Sequence, residues 1–408
     1  MRGGKGWLEN SRRQRITRFS AVLIAVSIVV GAVAGGFLSY SMFSKQIADL
    51  QNQVSTLQEQ VANLRSAQNV TNVFGGNVSL SALYERIKGS VVTIYGFILQ
   101  TNSSTTYYTQ IQGSGFVYNY TGQMIIVTNF HVVHTVVNIT VTFIDGDSYR
   151  AVVLGSDPYA DLAVLSTNAP QNEYKPIEIV SSSTLRVGDP VIAVGNPYGL
   201  TGSMTTGIVS QLGRSITEET TGGYSIANII QITAPINPGN SGGPLLNYLG
   251  QVVGITAAIV SDSQGLGFAI PSSTILREIG SLVKEGSYNY HPWLGITGTD
   301  MNYEIATRMG INVTYGWLIV GVISGGPADK AGLRGGTENA LIAGSLVTIG
   351  GDVIIAMNGE RITNMDDLTS YLEEYTSPGQ AVNITIVRNG QTMTVQVELG
   401  TRPPPSIP

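Results

Sequence analysis

From about residue 80 to 280 the chain repeats one pattern: a short apolar run rich in Val, Ile, Thr or Tyr, then a turn marked by glycine. "GSVVTIYGFIL", "GSGFVYN", "QMIIVTN", "VNITVTFIDG", "DLAVLST", "GDPVIAVG" and "QVVGITAAIVS" are the clearest of these runs. Segments of this length and composition read as strands. About a dozen of them at this spacing suggest antiparallel β-barrels. The 49 glycines and only 12% charged residues agree with a mainly β class in which helices are few and mostly terminal. With 408 residues, 43% of them hydrophobic, the chain can bury the cores of two or three domains. It contains no cysteine, which excludes disulfides, thiolate metal ligands and a cysteine nucleophile.

The N-terminal part is built differently. The net charge of −5 divides into +5 over residues 1–20 and −10 over the rest, and an acidic body argues against nucleic acid as a partner. Next comes "AVLIAVSIVVGAVAGGFL", Ala21 to Leu38, whose 18 uncharged residues would span roughly 27 Å as a helix. The basic leader before it predicts a transmembrane signal anchor over 21–43, with the N-terminus cytoplasmic and the remainder extracytoplasmic. The competing reading is a cleaved signal peptide, with "AVA" at 32–34 as the cleavage site. Over 44–68, Ile47, Val54 and Val61 alternate with Leu50, Leu57 and Leu64 in heptad register. This predicts a short coiled-coil stalk whose core pattern favours two strands. Residues 69–78 read as a linker. Seven Asn-x-Ser/Thr sequons, at Asn69, Asn77, Asn102, Asn119, Asn138, Asn312 and Asn383, all lie beyond the apolar segment and agree with that topology.

"INPGNSGGPLL", 236–246, breaks the strand pattern by crowding glycine and proline around Ser241. Serine is a weak nucleophile that needs a base within hydrogen-bond reach and donors for the oxyanion formed on attack. Glycine neighbours allow the amides of Gly239 and Ser241 to point into such a hole. The base expected near neutral pH is histidine, and the chain has three: His131 at the end of an apolar strand in "IIVTNFHVV", His134 one helical turn later, and His291 between the two regions. A carboxylate must orient the imidazole. "DPYADLAVLST" offers Asp157 and Asp161. Asp161 leads directly into a core strand, where a carboxylate is costly unless paired; Asp157, beside Pro158, reads as a turn residue.

"VTNFHVV", "ADLAVL" and "NPGNSGGPL", in the order His, Asp, Ser, resemble the HtrA (Deg) family of trypsin-fold serine proteases over roughly residues 78–400. The resemblance implies a double antiparallel β-barrel trypsin-like protease domain, 79–285, followed by an α+β PDZ domain, 291–401, and a Pro-rich tail, 402–408. It implies a catalytic triad of His131 as general base, Asp161 as its orienting partner and Ser241 as nucleophile. Gly239, Asn240 and Ser241 would form the oxyanion loop. Pro235, Ile236 and the "GLGF" stretch Gly265, Leu266, Gly267 and Phe268 would line the substrate pocket. Where the family commonly reads "TDAAINPGNSGG", this chain has Thr233 in place of the aspartate and Pro235 in place of an alanine. Pro235 stands six residues before the nucleophile, where trypsins carry an aspartate, so small uncharged P1 residues are expected.

The second region mixes strands with helical stretches near 327–333 and 364–376. Its "WLGI", Trp293, Leu294, Gly295 and Ile296, resembles the carboxylate-binding loop of a PDZ domain, which captures a peptide as an added strand. "TENALIAGSLVTIG", 337–350, resembles an insertion into that fold. The function implied is that of a membrane-anchored, ATP-independent serine endopeptidase acting on unfolded proteins, with peptide C-termini as PDZ ligands and a homotrimer, or a dimer, as the assembly. The alternative is a peptide-binding chaperone or scaffold with little turnover. No Walker loop occurs, and three scattered histidines without cysteine suggest neither a metal nor another cofactor.

Overall fold

The computed structural model describes residues 79–101, 106–196, 202–217, 225–257 and 266–404, with 46, 47, 50, 53 and 54 besides. The chain divides into two compact units, 1–77 and 78–408. The leader, the expected membrane anchor, the linker and most of the expected stalk lie outside the described residues. Among the described residues no helix is long and apolar enough to cross a membrane. Of the heptad positions, Ile47, Leu50 and Val54 are described, and all three are exposed.

The second unit opens with helix α1, Leu80–Ile87, capped where Ser79 Oγ accepts from Ala82 N at 3.2 Å. The first barrel holds β1 (Val91–Thr101), β2 (Thr106–Tyr120), β3 (Gln123–Thr128), β4 (Val136–Thr142), β5 (Ser148–Asp157) and β6 (Leu162–Thr167), in the order β1-β2-β3-β6-β5-β4. β1 and β4 close it, with Thr93 opposite Thr142. The second barrel holds β7 (Pro190–Gly195), β8 (Ser203–Thr217), β9 (Ser225–Ile232), β10 (Pro244–Leu246), β11 (Val252–Ala257) and β12 (Gly267–Pro271), in the order β10-β11-β12-β9-β8-β7.

Strand runs such as "LAVL" and "VIAV" are apolar at every position because both faces are buried. On β6, Ala163 and Leu165 fill the first barrel, while Leu162 and Val164 point into a core shared by both barrels. On β7, Val191 and Ala193 fill the second barrel, and Ile192 and Val194 join the same shared core. Leu83 and Ile87 of α1 seal that core, as do Ile275, Ile279 and Leu282 of helix α3, Ser272–Glu285. Period-2 alternation therefore separates two cores rather than core from solvent. The two barrels pack as one body, which fixes the crevice between them. α3 was not expected from the sequence, although its apolar residues stand three and four apart and Gly286, at φ +80°, ends it in the left-handed manner of a helix C-terminus.

The C-terminal part contains the strands β14 (Ile296–Asp300), β15 (Trp317–Val322), β18 (Val353–Met357), β20 (Ala381–Arg388) and β21 (Gln391–Glu398), neighbours in that order, with β19 (Glu360–Arg361) on β18. β13 (Pro292–Trp293) pairs with β22 (Gly400–Thr401). Helices α4 (Tyr303–Met309), α5 (Pro327–Lys330) and α6 (Met365–Tyr375) complete it; the last two fall on the expected helical stretches. The segment 337–350 is the hairpin β16 (Glu338–Ile342) and β17 (Ser345–Ile349), turned at Ala343 and Gly344 with φ of 48° and 84°. Helix α6 lies against the β8–β9 hairpin. Ser215 N donates to Asp366 Oδ1 at 2.7 Å, Ser370 Oγ donates to Gly213 O at 3.2 Å, and Arg214 pairs with Asp366 at 3.2 Å.

Candidate active site

Asp161 is the residue most constrained by its surroundings. It is fully buried and has a left-handed backbone, φ +51°, which costs a non-glycine residue of order 1–3 kcal/mol. Three sets of bonds hold it there. Its carbonyl accepts from Phe130 N and Asn129 Nδ2, both at 3.0 Å. Its Oδ1 accepts from His131 N at 2.9 Å, and its Oδ2 meets His131 Nδ1 at 2.8 Å. One carboxylate thus fixes both the backbone and the ring of His131, on the one-turn helix α2, Phe130–Val133. With Nδ1 engaged by a carboxylate, the ring is held in the tautomer that leaves Nε2 as acceptor.

The Ser241 loop is a packing problem that glycine solves. A Cβ at Gly242, φ +85°, would lie 2.1 Å from Ser114 O and 2.3 Å from Thr128 Oγ1, three residues before His131. A Cβ at Gly243 would lie 2.2 Å from Val194 O. The loop from the second barrel is therefore pressed against the first, next to the histidine segment. Ser114 N donates to Ser241 O at 2.8 Å, Ser114 Oγ donates to Gly239 O at 2.6 Å, and Thr256 Oγ1 donates to Asn240 O at 2.7 Å. Ser241 itself is 6% exposed. Gly239 has φ +99°, and its N–H meets no acceptor among the described residues. The Asn240 N–H, by contrast, turns back to Asn237 O at 3.0 Å. Asn240 shapes the loop without offering its amide to the crevice.

Ser114, Thr128 and Thr256 were not among the residues expected from the sequence. "GSG" at 113–115 carries a signal for the first: a Cβ at Gly113 would lie 2.5 Å from Val132 Cγ1 on α2. A glycine in a strand interior marks such a close approach.

The pocket residues are partly brought together. A Cβ at Gly267 would stand 2.8 Å from Ile236 Cγ1 and 2.7 Å from Ala234 O, so β12 runs directly beside the 234–236 segment, with Phe268 following. Leu266 is 45% exposed at the mouth of the strand, and Gly265 lies outside the described residues. Pro235 is exposed, its carbonyl accepting from Thr205 Oγ1 at 3.0 Å. Thr233 stitches its strand to β8, its Oγ1 accepting from Ile208 N at 3.0 Å.

The other two histidines are placed elsewhere. His134 stacks on Phe130 with centroids 4.6 Å apart, and burial pushes its pKa down. His291 is 3% exposed, with Nε2 2.8 Å from Asp157 Oδ2 and Nδ1 3.0 Å from Glu373 Oε2. Asp157 does cap its turn, accepting from Tyr159 N at 2.9 Å, but the turn reading missed that this carboxylate is buried against an imidazole.

In the C-terminal part, "WLGI" forms a bend ahead of an exposed sheet edge. Leu294 O accepts from Ala328 N and Gly295 O from Ile323 N, both at 2.9 Å, while the N–H groups of Leu294 and Gly295 meet no acceptor among the described residues. Gly295 has φ +74°, and Trp293 covers it, 3.2 Å from where a Cβ would stand. β14, starting at Ile296, bonds to β15 on one side only and leaves its outer edge open to an added strand.

Two six-stranded barrels with a serine loop, a histidine turn and a buried aspartate at their junction define the class of trypsin-like serine peptidases. A trypsin-like peptidase domain matches residues 113–255, and a PDZ domain matches 292–399. The chain is 36% identical over 328 residues to the chloroplastic Protease Do-like 1 of Arabidopsis thaliana, covering 79% of this chain and 71% of that one. It is 38% identical over 290 residues to a probable periplasmic serine endoprotease, DegP-like, of Chlamydia trachomatis, covering 70% of this chain and 53% of that one. Among solved structures, the HtrA-type protease AlgW with decapeptide is 30% identical, with a TM-score of 0.61, and is covered over its whole length by 80% of this chain. The chain belongs to the HtrA family of serine proteases. It spans about half the length of the DegP-like relatives that it matches.

Proposed function

We propose that the protein is a serine endopeptidase of extracytoplasmic protein quality control, with Ser241 as nucleophile, His131 as general base and Asp161 as the group that orients the imidazole and stabilises its charged form. The observation that carries this reading is the double grip of the Asp161 carboxylate on His131, ring at 2.8 Å and backbone at 2.9 Å. Such a grip fixes the direction in which the ring presents Nε2. As Ser241 Oγ attacks a peptide carbonyl, its proton passes to His131 Nε2. The imidazolium so formed is stabilised by Asp161, and its proton then goes to the leaving amine. The Gly239 N–H, together with that of Ser241, receives the developing oxyanion.

Ile236, Gly267 and Phe268 offer an apolar, uncharged pocket, which favours small aliphatic P1 side chains, with Leu266 and Pro235 near its rim. The open edge of β14 and the unengaged amides of Leu294 and Gly295 fit capture of an extended peptide by its C-terminus. We further assign residues 21–43 to a membrane anchor with the N-terminus cytoplasmic. Residues 44–68 become a self-associating stalk, for which the exposed Ile47, Leu50 and Val54 are the apolar seam, and the assembly is a homotrimer. The exposed positions of Asn119, Asn138, Asn312 and Asn383 are compatible with glycosylation outside the cell.

The test is cleavage of an unfolded, disulfide-free protein by the chain and by its Ser241→Ala and His131→Ala variants. Cleavage by the parent alone, with new C-termini at small aliphatic residues, is expected. Equal absence of cleavage in all three, with aggregation of the substrate suppressed, would instead identify a chaperone on a protease scaffold.

A further inference from the structure

Away from Ser241, the structure collects a set of ionisable side chains that are distant in sequence. Asp157 ends β5, Glu278 lies on α3 and His291 precedes β13, and they are 1%, 0% and 3% exposed. One ligand atom from each lies within 4.8 Å of the others. His291 Nε2 faces Asp157 Oδ2 at 2.8 Å. Glu278 Oε1 takes a hydrogen bond from Arg277 at 2.5 Å, yet its buried Oε2 meets no N–H or hydroxyl donor and lies against the carboxyl group of Asp157. Two carboxyl groups in contact in a dry interior require something positive between them, a proton or a cation.

We propose that Asp157, Glu278 and His291 form a binding site for one divalent transition-metal ion of the zinc class, which rivets the PDZ domain to the barrels. One imidazole nitrogen and two carboxylates are a donor set for Zn²⁺, Mn²⁺ or Fe²⁺, and cysteine plays no part in it. Donors at about 2.1 Å from a tetrahedral ion stand roughly 3.4 Å apart. The present separations close on an ion with small side-chain movements. The outer shell is already in place: Glu373, from α6 of the PDZ domain, holds His291 Nδ1 at 3.0 Å and so aims Nε2 at the carboxylates. Arg277 in turn donates to Glu373 O at 2.7 Å. Charge also balances. A divalent ion held by two carboxylates and a neutral imidazole forms a site with no net charge. A small cavity lined by Tyr159, Thr274, Arg277, His291 and Glu373 borders the cluster on its His291 side. Three histidines scattered along the sequence suggested no metal, because carboxylates from two other elements complete the set only after folding.

The site does not depend on Ser241 chemistry, so the Ser241→Ala chain, which cannot digest itself, serves for the test. The full chain is purified in detergent, stripped with chelator and titrated with Zn²⁺ by calorimetry, with Co²⁺ absorption reporting coordination. One ion per chain is expected, with a raised Tm and the intense visible bands of a low-symmetry nitrogen and oxygen site. Glu278→Gln, an isosteric stand-in for the protonated side chain that keeps the metal-free fold, should weaken binding at least tenfold, as should Asp157→Asn. His131→Ala and Asp145→Asn, the latter in the surface cluster of exposed Asp145 and Asp147 with half-buried Glu173, should leave it unchanged. A stripped chain that takes up no ion overturns the proposal. So does binding that survives Glu278→Gln or is lost in His131→Ala or Asp145→Asn.

Discussion

At the scale of single residues, two positions carry the proposed chemistry by being unusual. Asp161 accepts a strained backbone to place a carboxylate under His131, and Asp161→Asn should keep the fold while leaving the imidazole in the wrong tautomer. A fall in kcat of about four orders of magnitude, with little change in KM, is expected from steady-state kinetics. Gly242 is the converse case, where any side chain meets the backbone of Ser114 at 2.1 Å. Gly242→Ala should therefore displace the Ser241 loop and abolish activity, and circular dichroism melts should show a lowered Tm. Asp161 and the loop around Ser241 were legible in the sequence, although Gly242 was not singled out. A serine among glycines and an acid leading into a core strand are local signals. Ser114 and Thr256 were not legible, since a hydroxyl in an ordinary strand has no local mark of the loop it ties down from another element.

At the scale of elements, the strands were readable because each is a short apolar run, and α3 was missed although its periodicity was present. What the sequence hides is the joint between α3, β5 and α6. Burial alone would lower the pKa of His291, but Asp157 and Glu373 outweigh it and hold it at about 10, above its ordinary 6.5. Burial would raise Asp157, yet the charge of His291 keeps it below its ordinary value; Glu278 is pushed well above its own by burial and by Asp157. In the metal-free protein the contribution of His291 is complete below about pH 6.5 and is lost as pH rises through 10. Ionising Glu278 costs stability in the same direction, whereas the contribution of Asp157 is present above its ordinary 3.8 and lost in stronger acid. Urea midpoints of the stripped chain should therefore fall between mildly acidic and strongly alkaline pH. His291→Gln should flatten that profile and cost about 3–5 kcal/mol, as when one partner of a buried ion pair is removed.

At the scale of the whole molecule, two barrels share one core and form a crevice, and the PDZ helix α6 is hydrogen-bonded to the β8–β9 hairpin of the second barrel. The order His131, Asp161, Ser241 along the chain follows the two barrels: the first supplies the proposed base and its orienter, the second the proposed nucleophile. The central claim is that this junction makes Ser241 a nucleophile. Reaction of the full chain with a serine-directed phosphonate, followed by mass mapping of the adduct, tests it most directly. A single adduct on Ser241 is expected, absent after His131→Ala. An unmodified Ser241 in a folded chain, or an adduct that forms equally without His131, would contradict it.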